Sequence, residues 1–256
     1  MLYIDNELLA RIHTGHIILT ANERQTRFLV KEYANAVAKG LIDEPITPNV
    51  HSYRGWLQTS WKAFTHCIED EHLPQLISSN QSQLVWEFVA ERVTNFDTVL
   101  FKSLSAELAV SASRLVDEWN LDIEHDTRFN EHVDASMFKH WLTVYREHCR
   151  NNRWFDNNEL ANVIADIFSQ RIIPAPTLIG LYHFAELTPQ QQHLFDTVVR
   201  LGGQIETVKN APINQSAIRV EADDHDNEIL RAAHWAKNLI SQDPNLKVGI
   251  VVPELE

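Results

Sequence analysis

Short apolar runs alternate with segments of helical spacing at the start of the chain. Residues 16–20 form a β-branched apolar run, and residues 28–37 carry apolar side chains at helical spacing. This pattern predicts a strand, a short loop with Asn22 as the helix N-cap, and a helix that ends near Gly40. Residues 50–53 predict a second short strand that leads into another helix.

The middle of the chain, residues 56–172, is predicted to be helical. Its apolar residues recur every three or four positions, and it contains no convincing strand pattern. The pattern divides into four stripes, which predict four helices. They are Leu84, Val85, Phe88 and Val89; Leu104, Leu108, Ser111, Leu115 and Trp119; Phe138, Trp141, Leu142 and Tyr145; and Leu160, Val163, Ile164 and Ile167.

The strand pattern returns after residue 176. Residues 177–182 predict a buried strand, and Thr188 opens a helix with a proline in its first turn and Gln191 at the capping-box position. The remaining predictions are strands at 204–208 and 217–222, a helix at 226–240 and a strand at 248–252. Alternation of strand and helix predicts a parallel sheet covered on both faces.

The predicted fold class is therefore α/β, with a parallel sheet and a large all-helical insertion. Residues 1–55 and 173–256 are predicted to form the α/β part, and residues 56–172 the inserted helical subdomain. Because the run at 248–252 reads as a buried strand close to the end of the sequence, we expect the chain to be an N-terminal piece of a longer protein.

Composition narrows the classes of function. The 256 residues include 22 Lys and Arg against 35 Asp and Glu, a net charge of −13, which argues against non-specific phosphate binding. Basic and acidic residues balance over residues 1–60, so the acidic excess lies after them. The two cysteines show no CxxC spacing, the first residues show no basic stretch followed by an apolar core, and no apolar run approaches the length of a membrane span. We expect a cytoplasmic protein that does not interact with membranes.

The junction after the first predicted strand is where a phosphate-binding loop would lie. Such a loop needs glycines to cradle the phosphates and a lysine to reach the terminal one. The loop and early helix over residues 20–26 contain neither, and Glu23 would repel a triphosphate. An ordinary strand-to-helix turn is the simpler interpretation of these residues.

Taken in order, the motifs of this chain resemble those of a known family. They are Leu-Thr-Ala-Asn-Glu-Arg at 19–24, Val-His-Ser-Tyr-Arg-Gly-Trp-Leu at 50–57, Leu-Thr-Pro-Gln-Gln at 187–191, Asp-Asn-Glu-Ile at 226–229 and Val-Gly-Ile-Val-Val at 248–252. Together with the helical block, this order is similar to the N-terminal part of AddB/RecC-like bacterial DNA repair proteins. These are relatives of superfamily-one helicases, and they commonly carry a nuclease domain near the C-terminus.

The resemblance implies a sheet of P-loop helicase-like type whose ATPase positions are degenerate. It places residues 20–26 on the ATP-binding loop and Tyr182 with His183 on the pair of acids that hold magnesium and position water. Neither replacement suits those roles, so we expect no ATP hydrolysis by this domain. The degenerate positions are Thr20, Glu23, Thr26, Tyr182, His183 and Gln191.

With ATP hydrolysis not expected, the function that the resemblance still implies is DNA binding. The resemblance places residues 51–56 on a segment that contacts single-stranded DNA, and such grooves combine basic side chains with aromatic faces. The candidate residues are Asn22, Arg24, Arg27, His51, Tyr53, Arg54 and Trp56. Since the ATPase positions are degenerate, we expect no catalytic residue and no cofactor in this chain. We also expect no metal site, since its histidines lack HxH and HExxH spacing. The aromatic residues also suit core packing, and that alternative stays open.

The leading hypothesis is a helicase-like scaffold of a DNA repair or recombination protein, which guides single-stranded DNA to a nuclease in the full-length chain. A second hypothesis is an ATP-binding helicase domain completed by further residues. A third is a protein-interaction module that docks a helicase or nuclease partner subunit without contacting DNA.

Overall fold

A computed structural model of the chain describes residues 4–68, 73–93, 102–130, 132–208 and 218–252. The chain forms two compact units, Met1–Ala211 and Pro212–Glu256. The first unit is a mixed α/β body, as the sequence predicts. The strand predicted at 217–222, in the second unit, begins at a residue outside the described ranges.

Four parallel strands form the sheet of the first unit, in the order β2-β1-β5-β6. They are β1 (Ile17–Thr20), β2 (Val50–Ser52), β5 (Leu178–Tyr182) and β6 (Gln204–Val208). The sequence pattern predicts all four within one or two residues. In register, Thr20 of β1 lies beside Ser52 of β2 and Tyr182 of β5, so three strands end at the same edge of the sheet.

Helices make up most of the rest of the chain. They are α1 (Asn6–His13), α2 (Glu23–Ala38), α3 (Tyr53–Cys67), α4 (Ser79–Val93), α5 (Lys102–Glu118), α6 (Val133–Asn151), α7 (Leu160–Ser169), α8 (Pro189–Arg200) and α9 (His225–Gln242), with a 3-10 turn at Thr127–Asn130. Among the described residues, no helix is both long and apolar enough to cross a membrane.

Each face of the sheet is covered by its own hydrophobic cluster. Leu19, Ile179 and Leu181 point to the face that packs against α3, α7 and α8. Ile18 and Tyr182 point to the opposite face, where α1 and α2 lie. Successive side chains of a strand alternate between the faces, so the apolar strand runs supply both clusters.

Gly180 lets the side chains of the two flanking strands pack closely over the centre of β5 on one face of the sheet. A Cβ atom added there would lie 2.8 Å from Ile18 Cδ1 and 2.9 Å from Val208 Cγ2. Such distances are shorter than van der Waals contact, so the neighbouring side chains occupy the space that any other residue would need. The glycine is required by packing on the sheet.

A separate core lies within the helical section. Trp86, Val89, Trp141 and Tyr145 are buried there among residues of α4, α5 and α6. The prediction that this section lacks strands is wrong in one detail. β3 (Gln75–Leu76) pairs in parallel with β4 (Trp154–Phe155) and joins the two ends of this core.

The first and last helices of the predicted insertion belong to the sheet core. α3 and α7 contribute Trp61, Phe64 and Ile164 to the same cluster as Leu19 and Ile179. The division into 1–55 with 173–256, and 56–172, stays a prediction. By packing, α4, α5 and α6 bury residues against one another in a cluster of their own, separate from the clusters on the sheet.

The apolar stripe of α5 lies on the exposed side of the helix. Leu104, Leu108 and Leu115 are 53%, 63% and 49% exposed, and Trp119, just after the helix, is 44% exposed. The buried side of α5 instead carries small residues, among them Ala106 and Ala109. The large side chains of this helix therefore face outward.

The second unit contains α9, whose residues are all at least partly exposed. Asp224 caps this helix by accepting a hydrogen bond of 2.7 Å from the backbone N–H of Asn227. The strands predicted at 217–222 and 248–252 are not formed over residues 218–222 and 248–252, which have extended or irregular backbone without strand pairing.

Candidate functional site

A cleft of about 650 Å³ opens at the carboxyl edge of the sheet. In parallel sheets, the loops that follow the strands meet at this edge, which is the usual place for ligands. The cleft is lined by Ala21, Asn22, Gln25, Tyr53, Arg54, Leu57, Arg114, Glu118, Asn157, Asn158, Ala161, His183, Phe184, Ala185, Glu186, Thr188, Gln190 and Gln191. Some of the residues predicted from the sequence therefore lie together in the cleft. They are Asn22, Tyr53, Arg54, His183 and Gln191.

The turn between β1 and α2 is short and internally satisfied. Only Ala21 and Asn22 separate the strand from the helix. The side chain of Asn22 accepts a hydrogen bond of 3.1 Å from the backbone N–H of Gln25, whose own side chain accepts one of 3.2 Å from the N–H of Ala21. Side chains of the protein therefore occupy two N–H groups at this junction, that of Ala21 before the helix and that of Gln25 in its first turn, where a phosphate would otherwise bind.

The remaining positions of this loop are also engaged. Thr20 is fully buried, and its hydroxyl lies 2.7 Å from the hydroxyl of Thr26. Glu23 accepts a hydrogen bond from the hydroxyl of Ser52, which in turn accepts one of 3.1 Å from the N–H of Gly55. Glu23 thus couples the first loop to the start of α3 and serves to hold the two loops together.

His51 lies just behind this connection, in β2. Its Nε2 is 2.9 Å from the side-chain oxygen of Asn49, and the ring is half-buried. Burial lowers the pKa of His51, and the charge of Glu23 acts in the opposite direction. His51 does not line the cleft.

Tyr182 and His183 have different environments although their rings lie only 4.3 Å apart. Tyr182 is 3% exposed and packs in the core between the sheet and α2. His183 is exposed, lines the cleft and has a positive φ of 54°, where the chain turns out of β5. His183 is therefore the accessible member of this pair.

The loop after β5 is fixed by the helix that follows it. Thr188 and Gln191 form a reciprocal capping box, in which each side chain accepts a hydrogen bond from the backbone N–H of the other. This confirms the cap predicted from the sequence. Gln190 is buried and donates a hydrogen bond of 2.7 Å to the backbone oxygen of Asn158, which joins α8 to the turn before α7.

Aromatic side chains form one wall of the cleft. The ring of Tyr53 meets Phe184 edge to face, with centroids 6.4 Å apart, and meets Phe195 behind it at 6.0 Å. Its hydroxyl is buried and finds no hydrogen-bond partner among the described residues. Burial raises the pKa of this hydroxyl well above its usual value.

Trp56 needs a correction as a candidate for stacking on a base. It is 5% exposed and packs in the core, 6.2 Å from the ring of Phe168. The helix period explains this: Trp56 stands on the side of α3 that faces the sheet, whereas Tyr53 and Arg54 stand at the open N-terminus. Neither face of the indole is open to a ligand.

The predicted arginines are all exposed, but only one lines the cleft. Arg54 does so, and donates a hydrogen bond of 3.0 Å to the hydroxyl of Ser79. Arg24 and Arg27 lie on the exposed side of α2, outside the cleft lining. A second guanidinium comes from Arg114 of α5, whose Nε lies 3.9 Å from Glu118.

Several cleft residues had no signal in the sequence. Arg114, Asn157 and Asn158 belong to the helical section, and only tertiary packing brings them to the sheet edge. Within the described ranges, no group of three or more His, Cys, Asp or Glu side chains is placed to hold a metal ion. Cys149 is buried, and Cys67 is exposed.

Three carboxylates, those of Asp117, Asp156 and Glu159, lie close to the part of the cleft that Asn157 and Asn158 form. Asp156 accepts hydrogen bonds from the hydroxyl of Tyr145 at 2.9 Å and from the N–H of Asn158 at 2.8 Å. Glu159 follows in the same turn. Burial, reinforced by the charges of Asp156 and then Asp117, raises the pKa of Glu159 to about 7.

Comparison of the sequence with models of known protein families and with curated proteins finds no match.

Proposed function

We propose that this protein is a helicase-like scaffold of a DNA repair or recombination protein, and that its cleft binds single-stranded DNA. The observation that carries the proposal is the cleft itself. The loops after β1, β2 and β5 meet there, and they present arginine, aromatic and amide side chains to a common space. This is the combination that single-strand grooves use.

Two arginines line the cleft beside the carboxylates of Glu118 and Glu186, and the arginines suit contacts with phosphates. They are Arg54 and Arg114, and arginine binds phosphate through two parallel N–H groups. On α2, Arg24, Arg27 and Lys31 recur at spacings of three and four and are all exposed, so they form a basic stripe along one side of the helix. A strand that leaves the cleft near Asn22 would meet this stripe.

The uncharged side chains that line the cleft suit contacts with the bases of single-stranded DNA. Phe184 and Tyr53 supply aromatic surface, and a stacked base contributes about 1–3 kcal/mol. Asn157, Asn158 and Gln25 supply amides, which can both donate to and accept from base edges. Amides suit any base in some orientation, so we expect little sequence preference.

The β1–α2 turn supports a scaffold in preference to an ATPase. A phosphate-binding loop needs free backbone N–H groups and a lysine. This two-residue turn has no lysine, and the side chains of Gln25 and Asn22 already bind the N–H groups of Ala21 and Gln25. The resemblance to AddB/RecC-like proteins supplies the helicase-like fold type, and the parallel order β2-β1-β5-β6 is compatible with it. We further propose that the full-length protein contains a nuclease domain and that it acts with a partner subunit.

Fluorescence anisotropy with a labelled oligothymidine tests the proposal. We expect binding at low salt that weakens steeply as salt is added, since phosphate contacts release counterions. Arg54→Ala should weaken binding about fivefold or more and lower the log–log salt slope by about 0.7, the value for one contact on a single strand. Lys62→Ala is the control, since Lys62 is exposed on α3 away from the cleft.

Two results would count against DNA binding at the cleft. One is the absence of binding at low salt, and the other is an equal effect of Arg54→Ala and Lys62→Ala. ATP turnover that is lost when residues 20–26 are changed would favour the ATP-binding alternative. A loss of affinity in Arg24→Ala/Arg27→Ala would extend the DNA path onto α2.

A further inference from the structure

We infer that the outer face of α5, formed by Leu104, Leu108, Ser111 and Leu115, pairs with the same face of a second copy of this chain in an antiparallel arrangement. The inference does not rest on DNA binding, but it uses Arg114, which also lines the cleft, so pairing and DNA binding would compete for this side chain. It starts from the inverted packing of α5, whose large apolar residues face outward and whose alanines face the core. Exposed apolar patches on a folded domain mark interaction surfaces.

The spacing of the outer face is that of a coiled-coil seam. The steps from Leu104 to Leu108, Ser111 and Leu115 are four, three and four residues, so these residues occupy alternating d and a positions of a heptad. The buried residues Ala106, Ala109 and Ser113 occupy the b and f positions on the opposite side. One side of α5 thus serves the protein's own core, and the other has the pattern of a helix–helix contact.

The charges beside the seam identify the occupant as a second copy. Glu107 and Arg114 both occupy g positions, and in an antiparallel pair the g positions of the two helices face each other. When Leu104 packs against Leu115 and Leu108 against Ser111 of the second copy, Glu107 lies beside Arg114 of that copy. Two-fold symmetry repeats the pair, so two opposite-charge contacts form.

Among the described residues, the exposed apolar surface continues from α5 onto α6. Beside the seam, the groove between α5 and α6 is lined by Ala112, Met137 and Phe138, so the apolar surface extends beyond one helix. A helix of this length spans about 25 Å at 1.5 Å per residue. Such a contact is smaller than a standard interface of about 800 Å² per partner, so we expect a dimer that dissociates at micromolar concentrations.

Sedimentation velocity of the whole chain over a micromolar concentration series tests the pairing. A reducing agent is required, because the exposed thiol of Cys67 could form an unrelated disulfide. We expect a monomer–dimer equilibrium that Leu108→Glu weakens by about tenfold or more, which corresponds to 1.4 kcal/mol. Leu84→Glu is the matched control, since Leu84 on α4 is also 63% exposed. Circular dichroism checks that both variants fold.

A charge exchange distinguishes a second copy from any other occupant. Glu107→Arg alone places two arginines together across the two-fold axis, and Arg114→Glu alone places two glutamates together. We expect each variant to be monomeric by itself and the mixture to form heterodimers, in which both pairs are again opposite. A monomer at every concentration, a dimer that Leu108→Glu leaves intact, or a mixture that stays monomeric would overturn the inference.

Discussion

The side-chain amide of Gln190 donates a hydrogen bond of 2.7 Å to the backbone oxygen of Asn158. Through this contact the first turn of α8 holds the turn that precedes α7, and two walls of the cleft are fixed to each other. Gln190 itself is 4% exposed, so water cannot replace it.

Replacing Gln190 by Leu should therefore destabilise the protein. The backbone oxygen of Asn158 would lose its donor in a partly buried place, which costs about 1–3 kcal/mol in the free energy of unfolding. Urea denaturation measures the change. Gln192→Leu is the control, since Gln192 is exposed on the same helix, and its effect should stay within about 0.5 kcal/mol. Equal effects of the two changes would contradict the assigned role.

Two tyrosine-to-phenylalanine changes should shift stability in opposite directions. The hydroxyl of Tyr53 is buried without a partner among the described residues, so Tyr53→Phe should stabilise the protein by about 1 kcal/mol. The hydroxyl of Tyr145 lies 2.9 Å from both Ser82 and Asp156, so Tyr145→Phe should destabilise it by a similar amount or more. Thermal unfolding ranks the variants, and the same sign for both would refute this account.

Removing the charge of Glu23 should lower the pKa of His51 further. That pKa is already lowered by burial, and the carboxylate of Glu23 is what opposes the shift. Glu23→Gln keeps an acceptor for the hydroxyl of Ser52 while it removes the charge. Titration of the His51 ring protons by NMR measures the effect. An unchanged or raised pKa of His51 would disagree with the geometry.

Glu159 should make stability depend on pH near neutrality. Its folded-state pKa of about 7 lies above the ordinary value of 4.5, so the folded protein binds the proton more tightly than the unfolded chain. Stability from this group is complete below about pH 4.5 and is lost as the pH rises through about 7. Above that, Glu159→Gln should be more stable than the parent by on the order of 2 kcal/mol.

The comparison across pH supplies the control for this prediction. Below the ordinary pKa both proteins carry a neutral side chain at residue 159, so their unfolding free energies should converge. Burial also raises the pKa of Asp117, so the stability of the variant should still decrease somewhat as the pH rises. A constant difference between the two proteins at every pH would show that the substitution acts through packing.

Elements with local signals could be predicted from the sequence. Asn22 caps α2 and Thr188 caps α8 as predicted, because a cap depends on residues within one turn. The four strands of the larger sheet could be predicted because their apolar runs are short and end at turn residues. Because the loops that follow parallel strands meet at the carboxyl edge of a sheet, the edge at which the cleft lies could also be predicted.

What depends on packing could not be predicted in this way. A three-to-four spacing shows that α5 has an apolar side, but not that its alanines provide the buried one. Arg114, Asn157 and Asn158 reach the cleft only through the docking of the helical section. At Trp56 and Tyr53, residue type suggested stacking for both, and only the orientation of α3 separates the buried ring from the one at the cleft.

The two-residue connection between β1 and α2 sets a limit on how this sequence can evolve. A phosphate-binding loop spans several residues between its strand and its helix, so point substitutions at Ala21 and Asn22 cannot recreate one. Restoring it would require an insertion, together with the loss of the cap that now starts α2.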